Sequence, residues 1–302
     1  MTEINIRKVY EFAGHRQPIY ALAYDSENKA IYSSGADGLV IRWQKNTEAP
    51  GEVVLRLTMA SFSLNYDPNG ALWIAENQFG LRKFNLESNR LDFSIDLGKY
   101  FYFDILSINE MIISCDNAGN LITGPKNSDE GWVRHKIGTS SIRSISISPD
   151  QTTLALGMSD RSIRICDLNY MKEIHKIEAH NHSVFSTQFL KTKPWLLSGG
   201  KDAQIKIWST DNEFINAGKI PAHLYGINYL DISENDNYFL TCSMDKTIKL
   251  WDTFTGNLLK VVDYGRYEGH KASINKVKWI GKNEFISAGD DRKICLWEIE
   301  EK

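Results

Sequence analysis

The sequence predicts an all-β fold, a ring of seven four-stranded blades, on three observations. A turn-and-strand unit recurs as ADGLVIRWQ (36–44), SDRSIRICD (159–167), KDAQIKIWS (201–209), MDKTIKLWD (244–252) and DDRKICLWE (290–298), with an Asp six residues ahead of a Trp, or of Cys166 in the second. Two weaker copies, ENQFGLRKF (76–84) and CDNAGNLITG (115–124), fill the long gap between Asp37 and Asp160, with Gln78 and Asn117 in the Asp place. The places 37, 78, 117, 160, 202, 245 and 291 then lie 41, 39, 43, 42, 43 and 46 residues apart, the period of a four-stranded propeller blade. No Pro/Gly/Ser-rich or charged linker divides the chain, so residues 1–302 are expected to form a single seven-bladed β-propeller domain.

Each unit reads as a turn feeding a strand. In SMDKTIKLWD, Ile248 and Leu250 alternate with Lys249 after the turn at Met244 to Lys246, the period-two pattern of a half-buried strand. Upstream of each strong copy stands a second marker: Gly14-His15, Ala179-His180, Ala222-His223 and Gly269-His270. Between this marker and the Asp runs a β-rich segment with a hydroxyl four residues before the acid: Ser33, Ser198, Thr241 and Ser287.

Composition bounds the function. The chain has 42% apolar and 11% aromatic residues, with 35 Lys and Arg against 38 Asp and Glu, the profile of a globular protein with a substantial core. A net charge of -3 argues against an electrostatic grip on bulk nucleic acid or anionic lipid. No apolar run is long enough to cross a membrane, and MTEINIRKVYEF has polar residues where a signal peptide needs its apolar centre. A cytoplasmic location is expected. Cys115, Cys166, Cys242 and Cys295 are far apart and read as buried hydrophobes rather than as metal ligands or disulfides.

The Gly-His start, the Asp turn and the Trp-Asp end, here complete in Trp251-Asp252, resemble the WD-repeat family across all seven repeats. The resemblance implies that His, Ser or Thr, Asp and Trp form one buried hydrogen-bonded set per blade. The sets would be His15, Ser33, Asp37 and Trp43; His180, Ser198, Asp202 and Trp208; His223, Thr241, Asp245 and Trp251; and His270, Ser287, Asp291 and Trp297. The chemistry suits the spacing, because an indole N–H donates, a hydroxyl accepts and donates, a neutral imidazole does both, and a carboxylate accepts. Six strand residues span roughly 20 Å, so the links must cross strands. The fourth repeat keeps only Asp160, with Thr139, Leu156 and Cys166 in the other places, and its acid is expected to serve the turn alone.

The same implied phase closes the ring. The last repeat ends soon after Trp297, one strand short of a blade, while the strand-like run Ile4 to Phe12 precedes the first His. That N-terminal strand is expected to complete the last blade.

In the family, the residue five beyond the Gly-His histidine often faces the surface that binds partners. The corresponding positions are Tyr20, Phe185, Asn228 and Asn275, joined by Phe62, Phe101 and Arg143 in the weaker repeats. The residues before each Asp place add Ala36, Asn77, Asp116, Ser159, Lys201, Met244 and Asp290. Aromatics and Arg are the types that anchor protein interfaces. The expected function is a non-enzymatic scaffold, monomeric by itself and without a cofactor, that presents one propeller face to a protein or peptide.

Rival readings have less behind them. Ser198, His180 and Asp202 match a hydrolase triad by residue type, yet the trio recurs in four repeats and no Gly-x-Ser-x-Gly elbow is present. His180 and His182 would make a metal pair only if His180 were free of its relay. No Walker loop, dinucleotide fingerprint or His-Glu-x-x-His occurs. A channel enzyme or small-ligand site would need acids and bases converging at the inner-strand starts. A nucleic-acid reader would use the aromatics with scattered Lys and Arg.

Overall fold

In the computed structural model, which describes residues 4–45, 47 and 49–301 (Glu301 by its backbone alone), every recurrent unit lies within a four-stranded antiparallel sheet. Seven such sheets form the seven blades. Their innermost strands are Ile19–Asp25, Ser61–Asp67, Tyr102–Ile108, Ile142–Ile147, Val184–Phe189, Ile227–Ile232 and Ile274–Gly281. These strands contact one another in cyclic order, the seventh meeting the first, around a central channel. Six blades take their strands consecutively from inside to outside, because short turns join antiparallel neighbours. One helical turn, Tyr264–Tyr267, interrupts the pattern before the seventh blade.

The seventh blade takes its outer strand from the start of the chain. Ile4–Ala13 pairs antiparallel with Lys293–Glu301, from Ile4 opposite Glu301 to Ala13 opposite Lys293. Ile4, Ile6 and Phe12 turn inward and are buried, whereas Asn5 and Arg7 face solvent. The core lies between blades. Ile19, Ile31 and Trp43 of the first blade pack with Phe12, Ile286, Ile294 and Leu296 of the seventh, so closing the ring also seals this seam. Phe285 and Trp297 stack at 6.0 Å within the adjoining cluster that joins blades six and seven. All four cysteines are buried and free.

Ladder register corrects the reading of the third blade. Ser34 opposite Val40, Ala75 opposite Leu81 and Cys115 opposite Leu121 are equivalent pairs, which puts Ala118, not Asn117, in the Asp place. The flanking spacings become 40 and 42 residues instead of 39 and 43, closer to the common period. The Trp place falls on Gly124, where a Cβ would come 2.3 Å from the indole of Trp132. The third blade therefore has its indole in that space from the neighbouring segment of chain.

Removing residues 1–11 is expected to leave the strand Lys293–Glu301 as a bare edge and open the seam at Phe12. A less cooperative melt or aggregation, followed by light scattering during heating, is the expected outcome; a melt like that of the full chain would contradict it.

Candidate functional site: the mouth of the central channel

A β-bulge opens each innermost strand. The ladder shifts between Ile19 and Ala21, Ser61 and Ser63, Tyr102 and Asp104, Ile142 and Ser144, Val184 and Ser186, Ile227 and Tyr229, and Ile274 and Lys276. A bulge re-aims the unpaired residue. The seven bulged residues are Tyr20, Phe62, Phe103, Arg143, Phe185, Asn228 and Asn275, and all seven line a cavity of about 340 Å³ at the channel mouth. Met244 from a blade-six turn lines it too.

The expected rim residues divide on this geometry. Tyr20, Phe62, Arg143, Phe185, Asn228 and Asn275 are half-buried at the mouth, and Lys201, Met244 and Asp290 are exposed on the same face. Phe101 is a correction. Its backbone carbonyl accepts from Asn117 N just as Pro18 O accepts from Ala36 N, so it lies two residues ahead of the bulge place, which belongs to Phe103. It is 41% exposed and still stacks on Phe62 at 6.5 Å. Asn77 and Asp116 are corrections as well, being 1% and 0% exposed. Asn77 Oδ1 accepts from Tyr102 N. Asp116 accepts from the Ala118 and Asn120 amides and pairs with Arg134. Both hold loops together beneath the surface.

The mouth is stitched by its own side chains. Tyr20 meets Phe62 edge-on at 5.1 Å, and Phe62 stacks parallel to Phe103 at 5.6 Å. The Arg143 guanidinium lies 3.9 Å from the Phe103 ring centre and 5.1 Å from that of Phe185. Asn228 Nδ2 donates to Ile274 O, and Asn275 Nδ2 donates to Ile19 O and to Asp290. Among the described residues no hydrogen bond or ring contact joins Phe185 to Asn228, so the ring of stitches is open between blades five and six.

Below the mouth the channel carries charges that the strand-start positions did not reveal. The residues directly after three of the bulges, Asp104, Tyr229 and Lys276, line both the mouth and a second cavity of about 600 Å³ beneath it, which Asp231 and Lys278, two residues further along, line as well. Lys276 Nζ lies over the Tyr229 ring at 3.5 Å. Burial lowers the pKa of Lys276 and of Arg143 and raises that of Asp231, because each charge is costly away from water. Alternation was a signal only beyond the bulge, where Asp231 and Lys278 stand two residues after Tyr229 and Lys276.

Four relays support the face. In blade one, Trp43 Nε1 donates to Ser33 Oγ at 2.8 Å, Ser33 Oγ lies 2.8 Å from His15 Nε2, and His15 Nδ1 lies 3.0 Å from Asp37 Oδ2. The same chain links Trp208, Ser198, His180 and Asp202; Trp251, Thr241, His223 and Asp245; and Trp297, Ser287, His270 and Asp291. In blades one and six, where burial lowers the imidazole pKa, a neutral ring protonated on Nδ1 completes the chain from indole donor to carboxylate acceptor. Each Asp also accepts from the loop ahead of the inner strand: Arg16, Asn181, Leu224 or Lys271 N. Burial lowers the His15 and His223 pKa values against the pull of Asp37 and Asp245. Burial works against the charge of Asp202, but hydrogen bonds from His180 and Asn181 outweigh it and bring the pKa down to about 2.

Blades two to four use arginine instead, an arrangement missed in the sequence. The buried Glu76 accepts from Thr58 N, Thr58 Oγ1, Met59 N and Arg82. Arg134 joins Asp116 to Leu97 O and Tyr102 Oη. Asp160 does more than serve its turn: besides Ser162 N and Oγ it holds Arg164 at 3.3 Å, which also pairs with Glu173. The acids of blades two and three stand two residues before the Asp place, so a search at a fixed spacing passes over them.

The family profile described as WD domain, G-beta repeat matches residues 6–44, 131–167, 171–209, 216–252 and 262–298, more than half of the chain. The chain belongs to this family. The unmatched stretch between residues 44 and 131 carries the two blades with displaced acids. Nuclear distribution protein nudF of Aspergillus niger is 26% identical over 163 residues, 53% of this chain and 36% of that protein. The 66 kDa stress protein of Physarum polycephalum is 20% identical over 302 residues, 95% of this chain and 47% of the relative. Protein HIR1 of Cryptococcus neoformans var. neoformans is 25% identical over 202 residues, 56% and 22% of the two chains. The chain spans less than half the length of the curated relatives it matches.

Two outcomes follow from the buried acids. Asp245→Ala is expected to cost roughly 2–4 kcal/mol by orphaning His223 and the loop amide. Glu76→Ala should cost about 3 kcal/mol or more, because it also strands Arg82. Denaturant titration measures both, and a near-neutral Glu76→Ala would remove the arginine latch from the account.

The depressed relay groups share one sign of pH dependence. His270, lifted against its burial to about 9 by the bond to Asp291, has the other and loses its contribution as pH rises towards 9. Asp202, depressed in the fold, contributes stability that is present above the ordinary aspartate range near pH 4 and lost as pH falls towards about 2. His15 and His223, held neutral, lose their contribution as pH falls below about 6.5. Thermal midpoints should therefore drop on acidification. The gap between the native protein and Asp202→Asn should narrow from pH 7 to pH 2, and a widening gap would contradict the contribution assigned to the Asp202 relay.

Proposed function

We propose that this WD-repeat propeller is a non-enzymatic scaffold that holds a protein or peptide partner on the face around the channel mouth. One observation carries the reading: seven bulges turn four aromatics, an Arg and two amides onto a single open mouth. Rigid aromatics and Arg in a partly desolvated depression are the groups that concentrate interface energy. Membership of a family that works through its surfaces is consistent with it, although fold alone does not name a function.

The relay serines do not support a hydrolase. Ser33, Ser198 and Ser287 are fully buried, and each hydroxyl is engaged by an indole and an imidazole. A nucleophile has to reach its substrate.

The rim can be separated from the core by mutation. Tyr20→Ala, Phe103→Ala and Phe185→Ala are expected to stay within about 1 kcal/mol of native stability, against roughly 3–5 kcal/mol for emptying a buried Phe site. Phe62, which touches Tyr20, Phe101 and Phe103, is expected to matter most for binding, costing about 2 kcal/mol. Affinity capture from native lysate with the full chain and these variants tests the reading. Native-like melting with lost capture supports it, whereas capture that survives all four changes sends the search to the opposite face.

A further inference from the structure

We propose that the mouth receives an acidic side chain from an extended peptide segment, clasped between Arg143 and Lys276, while adjacent apolar residues of that segment lie on a shelf of Leu224, Tyr225 and Met244. This rests on the interaction-face reading above and specifies the chemistry of the partner.

The charge requirement comes from what each ionic group is already doing. Asp104 is saturated from within: Oδ1 accepts from Ser63 Oγ at 3.1 Å and Ile105 N at 3.0 Å, and Oδ2 from Ile145 N at 2.9 Å. Asp290 accepts from Asn275 at 2.7 Å. Asp231, deeper in the channel, accepts from Trp279 N at 2.7 Å. The two mouth cations differ. Arg143 spends only the face of its guanidinium, on Phe103 and Phe185, and Lys276 only its contact with the Tyr229 ring. Among the described residues neither side chain has a carboxylate within 4.0 Å or a hydrogen-bond acceptor. Two partly desolvated cations with unused N–H groups beside one cavity make a seat for a carboxylate. The geometry disfavours a cationic ligand, because Arg143 already occupies faces of Phe103 and Phe185 and would repel a second positive charge there.

The occupant is a chain rather than a small acid because the site continues outward. Leu224, Tyr225 and Met244 are 86%, 65% and 41% exposed, and together with His182 and Lys201 they line a depression on the same face. Met244 lines both this depression and the mouth. The two meet between blades five and six, where the ring of stitches is open. A ligand confined to the mouth would leave three large apolar side chains in water, whereas an extended segment covers them.

The test is a phage library of random linear peptides selected on the full native chain. Recovered peptides are expected to share an Asp or Glu beside an apolar residue. Replacing that acid by its amide should weaken binding on the order of thirtyfold, as should Arg143→Met and Lys276→Met, which keep the aliphatic stem. Leu224→Ser should weaken it less, and amidating the peptide C-terminus should change nothing. Should either Met variant fail to fold, the acid-to-amide comparison on native protein decides. Peptides without a shared acid, indifference to the acid-to-amide change, loss on C-terminal amidation, or no enrichment at all would overturn the proposal. Peptides lost with Phe62→Ala but indifferent to Lys276→Met would overturn the acidic clasp alone and leave the face reading standing; indifference to both would overturn both.

Discussion

The structure depends on one carboxylate per blade placed at the turn behind the inner strand. Asp37, Glu76, Asp116, Asp160, Asp202, Asp245 and Asp291 fill that role around the ring, each accepting from several donors. A carboxylate taken from water must be satisfied or it destabilises the fold. Satisfying it draws the preceding loop, the turn and the adjoining strands to one point. All of these points lie on the face that carries the channel mouth. The requirement that stabilises each blade therefore also fixes the loops from which the site is built, consistent with a rigid platform.

Two chemistries meet that requirement. Blades five, six, seven and one, contiguous through the closing strand, use His, a hydroxyl and Trp. Blades two, three and four use Arg. The first kind was legible because every member stands at a fixed spacing, such as Ser33, Asp37 and Trp43. The second was not, because the acid moves to the last residue of the second strand in blades two and three, as in Glu76 and Asp116, and its partner comes from the third strand in blades two and four but from the fourth in blade three. Sequence spacing encodes a contact only when both ends keep their place in the ladder. Arg134 lies 18 residues beyond Asp116, a separation that no local pattern announces.

The site was readable to the same extent and for the same reason. Tyr20, Phe185, Asn228 and Asn275 follow a histidine by a fixed count and fall on bulges, and Phe62 and Arg143 were reached by strand pattern. In the third blade the aromatic run Tyr100, Phe101, Tyr102 and Phe103 offers hydrophobic residues at every phase, so alternation could not choose among them. Backbone pairing could, since Phe101 occupies the place of Pro18 and Phe103 that of Tyr20. The channel charges were hidden differently. Asp104 and Lys276 follow directly on bulged residues, where the bulge lets two successive side chains share the inner side and breaks the period of two.

The distribution of stitches around the mouth gives the ring a direction. Aromatic contacts bind blades one to three, Arg143 bridges three to five, and the two asparagines bind six to seven and seven to one. Each stitch spends polar edges or ring faces that would otherwise be offered to a partner. What remains on offer is the seam between blades five and six, together with the N–H edges of Arg143 and Lys276. Gly226 keeps the loop that carries Leu224 and Tyr225 low at this seam, where a Cβ would come within 3.2 Å of Lys201 Cα. A propeller has sevenfold repetition in its strands, but the polar groups left without partners at its mouth are concentrated where that repetition lapses.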